Sequence, residues 1–227
     1  MTQFSEYFSR NLGALTAEQQ QTLQHRRVAV IGCGGLGGHV IEQLVRIGVG
    51  HLHLFDPDVF TPSNCNRQLN ALSHTMGLGK AEVAAARSTA IHPFNTVIPC
   101  PLDFRAAPED AWDRIDVVVD CMDNIQGRWD LAVLCNAKNI ALVHGAVKGW
   151  YGQVGVQLPG GDLIARLYPE RVTSQPQGPP PVLSFTVAVV ASLQAGEAVK
   201  LLLGLPSPLH NNWMHIDLQH HDFSIQG

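Results

Sequence analysis

The stretch VAVIGCGGLG, residues 28–37, constrains this chain more than any other feature. A four-residue apolar run reads as a buried strand, and it passes without a spacer into glycines at 32, 34 and 37. That G-x-G-x-x-G spacing, with Gly35 inside it, permits a tight turn that brings backbone N–H groups against phosphates at a helix N-terminus. Val40, Ile41, Leu44, Val45 and Ile47 follow at helical spacing, Gly48 stops the helix, and HLHLFD alternates as a second strand. The result is a βαβ unit, in which Asp56 ends the second strand nineteen residues after Gly37, placed to accept hydrogen bonds from a ribose.

The alternation continues through a helix at KAEVAAARSTAI stopped by Pro93, a strand at NTVIPC, and IDVVVDC, apolar throughout as a strand buried on both faces should be. Upstream, Thr16 and Gln19 stand in capping-box spacing ahead of a helix that leads into the first strand. From Gly145 the texture changes to short β-type runs rich in glycine. These observations predict a Rossmann-like, doubly wound, mostly parallel α/β sheet extended by antiparallel strands. The expected organisation is one domain over 1–227: an arm and helix at 1–26, a nucleotide-binding half at 27–144, and a second half at 145–227. That second half contains a proline-rich mobile crossover loop at 169–182 and a long helix running to Gly204. A length of 227 residues suits one core.

Up to Asp56 a nicotinamide dehydrogenase and an ATP enzyme read alike. The segment DPDVFTPSNCNRQ then places Asn64, Asn66, Arg67 and Gln68 beyond the carboxyl end of the second strand, and Lys80 opens the next helix. Hydride transfer has little use for those cations, whereas a triphosphate needs several donors and its chemistry is driven by stabilising charge on phosphate oxygens. In DCMDN, Asp120 and Asp123 end a buried strand at the same sheet edge, hard carboxylates suited to magnesium held partly by nucleotide phosphates. Asp120 alternatively fixes the turn. Lys148 reads as a solvated loop lysine, and His220, His221 and Asp222 as a solvated tail.

A formal charge of −4 leaves no global basic footprint for nucleic acid or an anionic membrane, so neither is an expected partner. The five cysteines contain no C-x-x-C pair, the N-terminus has no apolar leader core, and the longest apolar stretch is soon followed by Glu197 and Lys200. The expected setting is cytoplasmic, with reduced thiols. Cys33 and Cys65 read as small apolar fillers rather than nucleophiles.

Seven ordered segments together resemble the ThiF/MoeB/HesA family, bacterial relatives of ubiquitin-activating enzymes: SEYFSRN at 5–11, VAVIGCGGLGG at 28–38, DPDVFTPSNCNRQ at 56–68, GLGKAEVA at 77–84, DCMDN at 120–124, VHGAVKGWYGQV at 143–154 and SLQAGEAVKLLLG at 192–204. The resemblance implies an adenylyltransferase that uses ATP and magnesium to activate the C-terminal glycine carboxylate of a small ubiquitin-fold sulfur-carrier protein ending in Gly-Gly. It assigns Asp56 to the ribose, Asn64, Arg67 and Lys80 to the phosphates and the transition-state charge, and Asp123 to magnesium. Gly32, Gly34, Gly35, Gly37, Asp58, Gln68 and Asn124 complete the nucleotide-binding positions. Arg10 matches an arginine that such homodimers insert into the neighbouring subunit's site. Many members bind a structural zinc through two C-x-x-C pairs; none is present, so no structural zinc is expected. The crossover loop also lacks the cysteine some members use, so a separate sulfur donor is expected. The alternatives are a non-catalytic partner subunit that docks a carrier, and a dinucleotide-binding oxidoreductase.

Overall fold

The computed structural model describes residues 6–170 and 180–227. Residues 1–5 and 171–179, the latter comprising most of the crossover loop predicted at 169–182, lie outside the described residues. Strand β1 (Arg27–Ile31) pairs in parallel with β2 (His51–Phe55) on one side and β4 (Val117–Asp120) on the other. β3 (Thr96–Cys100) joins beyond β2, and β5 (Ala141–Lys148) beyond β4, both parallel. Pairing then turns antiparallel through β6 (Tyr151–Gln157), β7 (Trp213–Asp217) and β8 (Asp222–Gln226). One eight-stranded sheet results, in the order β3-β2-β1-β4-β5-β6-β7-β8. The chain winds outward from β1 to β3 and then restarts at β4 on the other side, so β1 and β4 flank the switch point where open α/β sheets bind ligands.

Local sequence explains each element near that point. α1 (Ala17–His25) starts with the reciprocal capping box, Thr16 Oγ1 accepting the Gln19 N–H and Gln19 Oε1 accepting the Thr16 N–H. α2 (Gly35–Ile47) buries Val40, Ile41, Leu44 and Val45 and ends at Gly48, whose φ of +97° is left-handed. α2, α3 (Lys80–Ile91) and α6 (Ser184–Leu202) cover one sheet face, packing on Val28, Val30, Leu52, Leu54, Val117 and Val119. α4 (Ile125–Lys138) and the short α5 (Leu163–Leu167) cover the other face over Ala29, Ile31, Val118 and Leu142. β4 is therefore buried on both faces, the physical reason its sequence is apolar without alternation. α6 is long and apolar enough to cross a membrane, yet its Val187, Val190, Ala191, Ala198 and Leu202 belong to the core.

Two features depart from the sequence pattern. The change of texture at Gly145 falls inside β5, whose residues 141–144 pair in parallel with β4 while 142–148 pair antiparallel with β6. The His220-His221-Asp222 cluster is the turn of the β7–β8 hairpin rather than a tail: His221 takes φ +55° and Asp222 opens β8.

The glycine turn is fixed by contact as well as by conformation. Gly32 has φ +94°, and a Cβ there would lie 2.8 Å from the Cys121 carbonyl oxygen. A Cβ on Gly37 would lie 1.8 Å from the Gly32 carbonyl oxygen, a backbone atom that cannot yield without opening the turn. Gly196, exposed within α6, meets nothing within 4 Å. The two alanine substitutions should therefore act with opposite sign in chemical denaturation. Gly37→Ala is expected to lose about 3 kcal/mol or more through forced overpacking, and Gly196→Ala to gain about 0.5–1 kcal/mol from reduced unfolded-state entropy. Equal effects would contradict the packing of the turn.

Candidate active site

At the carboxyl end of β1 the chain turns through Gly32 and Cys33 into α2, whose cap Gly34 makes no side-chain hydrogen bond and whose first turn holds no acidic residue. The leading N–H groups of this helix form an electropositive seat for an anion. Asp56, buried just beyond β2, fixes the turn: its Oδ2 accepts the Cys33 N–H at 2.7 Å and its Oδ1 the Asp58 N–H at 2.9 Å. Burial pushes the Asp56 carboxyl above its usual range, opposed by those backbone bonds and by Lys80. Each carboxylate oxygen retains a second lone pair that a ribose hydroxyl could use.

Lys80 opens α3, and its side chain is only 9% exposed, while its Nζ lies 2.9 Å from Oδ2 of Asp58, whose own side chain is 67% exposed. Asp58 thus meets the assigned region through the lysine. Arg67 donates from Nη1 to Ser63 O and Asn66 Oδ1, and its Cγ lies 3.9 Å from where a Gly35 Cβ would sit. Gln68 packs its Nε2 3.2 Å from the Cβ position of Gly34, and its buried Oε1 has no hydrogen-bond partner. A buried orphan acceptor against the glycine turn fits a ligand that brings a donor. Asn64 closes the preceding loop, accepting the Thr61 N–H at 3.0 Å. The structure thus brings Gly32, Gly34, Gly35, Gly37, Asp56, Asp58, Asn64, Arg67, Gln68 and Lys80 to one end of the sheet.

The DCMDN segment divides. Asp123 is exposed at the end of β4, and Asn124 spends its Oδ1 capping α4, accepting the Gly127 N–H at 2.7 Å. Asp120, read from sequence as a possible second magnesium carboxylate, is 0% exposed and cannot serve as one. Its Oδ2 accepts from His144 Nδ1 at 2.7 Å, its Oδ1 from the Met122 N–H at 3.0 Å, and the Arg128 Nε stands 3.5 Å away. Among the described residues no group of three His, Cys, Asp or Glu could cage a metal. The donor set at Asp123, one hard oxygen ligand open to solvent, fits magnesium shared with substrate phosphates and not an all-protein site.

Arg10 does not join its own chain's site. Its segment packs at the far end of α2, where Asn11 Nδ2 donates to Ile47 O at 3.3 Å and Phe8 meets His92 edge-on at 5.1 Å. A helix as long as α2 separates that end from Gly35 by about 20 Å. Sequence reasoning missed the polar cluster of the buried His144, Arg128 and Gln194 with the half-buried Gln153 and Tyr168. The available signal was a histidine at a core position of an apolar strand, in LVHGAV. A separate depression on the α4 side, lined by Phe104, Trp112, Val133 and Leu134, contains none of the predicted site residues.

Comparison with known proteins gives the following. The ThiF family model matches residues 8–226. The SAMP-activating enzyme E1 of Haloferax volcanii is 37% identical over 194 residues, covering 82% of this chain and 70% of that protein. The sulfur carrier protein adenylyltransferase of Thermus thermophilus is 35% identical over 216 residues, 88% of this chain and 78% of that one. Among solved structures, Escherichia coli MccB with ATP superposes with a TM-score of 0.80 over 97% of this chain and 71% of that chain, at 22% identity, which establishes a shared fold.

The thiols make a direct check of the site's interior. Burial pushes Cys33 and Cys121 well above the ordinary thiol range, with Asp56 and Asp120 respectively adding to the effect, and pushes Cys135 up to about 12. Cys65 is exposed. Alkylation of the native protein with iodoacetamide at pH 8, followed by mass spectrometry, should modify Cys65 first and leave Cys33, Cys121 and Cys135 unmodified until denaturant is added. Early labelling of Cys33 would contradict the closed turn.

Proposed function

The chain belongs to the ThiF family, and from that premise we propose that it is an ATP-dependent adenylyltransferase acting on the C-terminal glycine carboxylate of a small ubiquitin-fold sulfur-carrier protein. The observation that carries this reading is the pair of cations at the glycine turn: Lys80, buried beside Asp56, and Arg67, packed against Gly35. A carboxylate oxygen of the carrier attacks the α-phosphorus of ATP, the bond to the bridging oxygen of the β-phosphate breaks, and pyrophosphate leaves the acyl-adenylate behind. Negative charge builds on the non-bridging oxygens during that step. Lys80, released in part from Asp58, and Arg67 stabilise it, while the open N–H groups of α2 receive phosphate oxygens. Asp56 and Gln68 orient the nucleoside end, through a carboxylate with spare lone pairs and an amide oxygen without a partner. Asp123 would hold magnesium, which neutralises phosphate charge when bound.

The same cations disfavour a dinucleotide oxidoreductase, and the retention of Arg67, Lys80 and Asp123 disfavours a non-catalytic partner subunit. The carrier is expected on the open sheet face beyond α4 and α5. There the register sets Tyr151 opposite Lys148 and His215 opposite Gln153, and Tyr151 stacks on His215 with ring centroids 6.1 Å apart. With no cysteine in residues 169–182, sulfur is expected from a separate donor. Arg10, remote from its own site and exposed, suits action across a homodimer interface.

In carrier-dependent exchange of labelled pyrophosphate into ATP, Lys80→Ala and Arg67→Ala should each lower the rate by roughly two to three orders of magnitude, the loss of a transition-state donor. Ordinary rates in both would sink the assignment. If Arg10 acts across the dimer, mixing Arg10→Ala with Lys80→Ala chains under subunit exchange should restore activity to roughly a quarter of wild type, because about half the dimers then hold one intact site. No recovery despite proven exchange would place Arg10 outside the reaction.

A further inference from the structure

We infer that His144 is a positioning residue for the magnesium turn: by holding the Asp120 carboxylate it fixes the 121–124 segment that presents Asp123. This rests on the adenylyltransferase reading above. The turn is gripped on both sides of Asp123. The Met122 N–H donates to Asp120 Oδ1 at 3.0 Å, the Met122 carbonyl accepts from Arg128 Nη2 at 2.6 Å, and Asn124 is tied down as the α4 cap. The Asp120 carbonyl in turn accepts from Gln194 Nε2 at 2.8 Å. Asp123 between them is exposed, its carboxylate open to a ligand from solvent.

The orientation of the Asp120 carboxylate decides whether that grip holds. Its Oδ2 has one close partner, His144 Nδ1 at 2.7 Å. The Arg128 Nε, buried and without a hydrogen-bond partner, waits 3.5 Å away. Removing the histidine donor lets the carboxylate rotate toward Arg128, and the same rotation draws Oδ1 off the Met122 N–H. His144 is equipped to prevent this. Burial lowers its pKa despite the neighbouring Asp120, so the ring is neutral and its single N–H points at the carboxylate. Its Nε2 then serves as acceptor, 3.2 Å from the Tyr168 hydroxyl and 3.0 Å from Gln153 Nε2. Arg128 Nη1 donates to the same hydroxyl at 2.8 Å, closing the cluster. The register of the sheet makes this possible, since His144 lies directly opposite Asp120 across β4 and β5.

The test is calorimetric titration of the carrier-free protein with α,β-methylene-ATP, once with magnesium and once with EDTA, on wild type and on Asp123→Asn, His144→Asn and His144→Gln. The asparagine amide nitrogen stands in for Nδ1 and the glutamine amide nitrogen for Nε2. Magnesium should tighten binding to wild type, and Asp123→Asn should lose that gain. His144→Gln should lose about tenfold of it, the effect of removing an outer-shell partner, with affinity in EDTA unchanged, while His144→Asn keeps most of it. No magnesium-dependent gain in wild type, or its survival in Asp123→Asn, would overturn the metal site and this inference with it. With those two as expected, a wild-type response from His144→Gln, or equal loss in both histidine variants, would overturn the positioning role alone.

Discussion

The site depends on one buried carboxylate. Asp56 closes the turn at β1 by accepting the Cys33 N–H and closes the loop beyond β2 by accepting the Asp58 N–H, so two strand ends are locked to a single side chain. Without it the buried Cys33 N–H loses its partner, leaving a donor whose desolvation costs about 1–3 kcal/mol, and the part-buried Asp58 N–H is released as well. The arrangement is held against a gradient. Because burial raises the Asp56 pKa in the folded chain above its ordinary 3.8, the group's contribution to stability is fully present below pH 3.8 and declines as pH rises through the raised value. At neutral pH the fold therefore carries a desolvated charge that packing alone would not select, and Lys80 beside it is the compensating cation.

The rest of the site follows from where the sheet reverses direction. The switch between β1 and β4 gathers the glycine turn, the Asp56 loop and the Asp123 turn at one edge, while α2 carries the N-terminal arm to the opposite end. The glycine turn and Arg10 are thus separated within one chain by the length of a helix. The antiparallel half adds a different resource, a sheet face left open beyond α4 and α5.

Much of this was legible in the sequence because it is local. Glycine spacing, the apolar run of β4, the Thr16 capping box and Gly48 each act through neighbours within a few residues, and each stands where the pattern put it. What escaped depends on contacts far apart in the chain. Asp120 and Asp123 look alike in DCMDN, yet one is sealed by a histidine from the next strand and the other faces water. The closing hairpin was hidden because WMHID buries a single position and DFSIQ, the edge strand, buries none, so neither shows the alternation of a buried strand. The texture change at Gly145 was real, but it marks the point within β5 where pairing with β4 stops while pairing with β6 continues.

The central claim is that the switch point is built for a triphosphate rather than a dinucleotide. The most direct test is to titrate the purified wild-type protein with magnesium ATP and, separately, with NAD and NADH, following heat or intrinsic tryptophan fluorescence. The account predicts saturable binding of ATP at one site per chain and no saturable response to either dinucleotide. Saturable binding of NAD or NADH, with ATP unable to displace it, would contradict it.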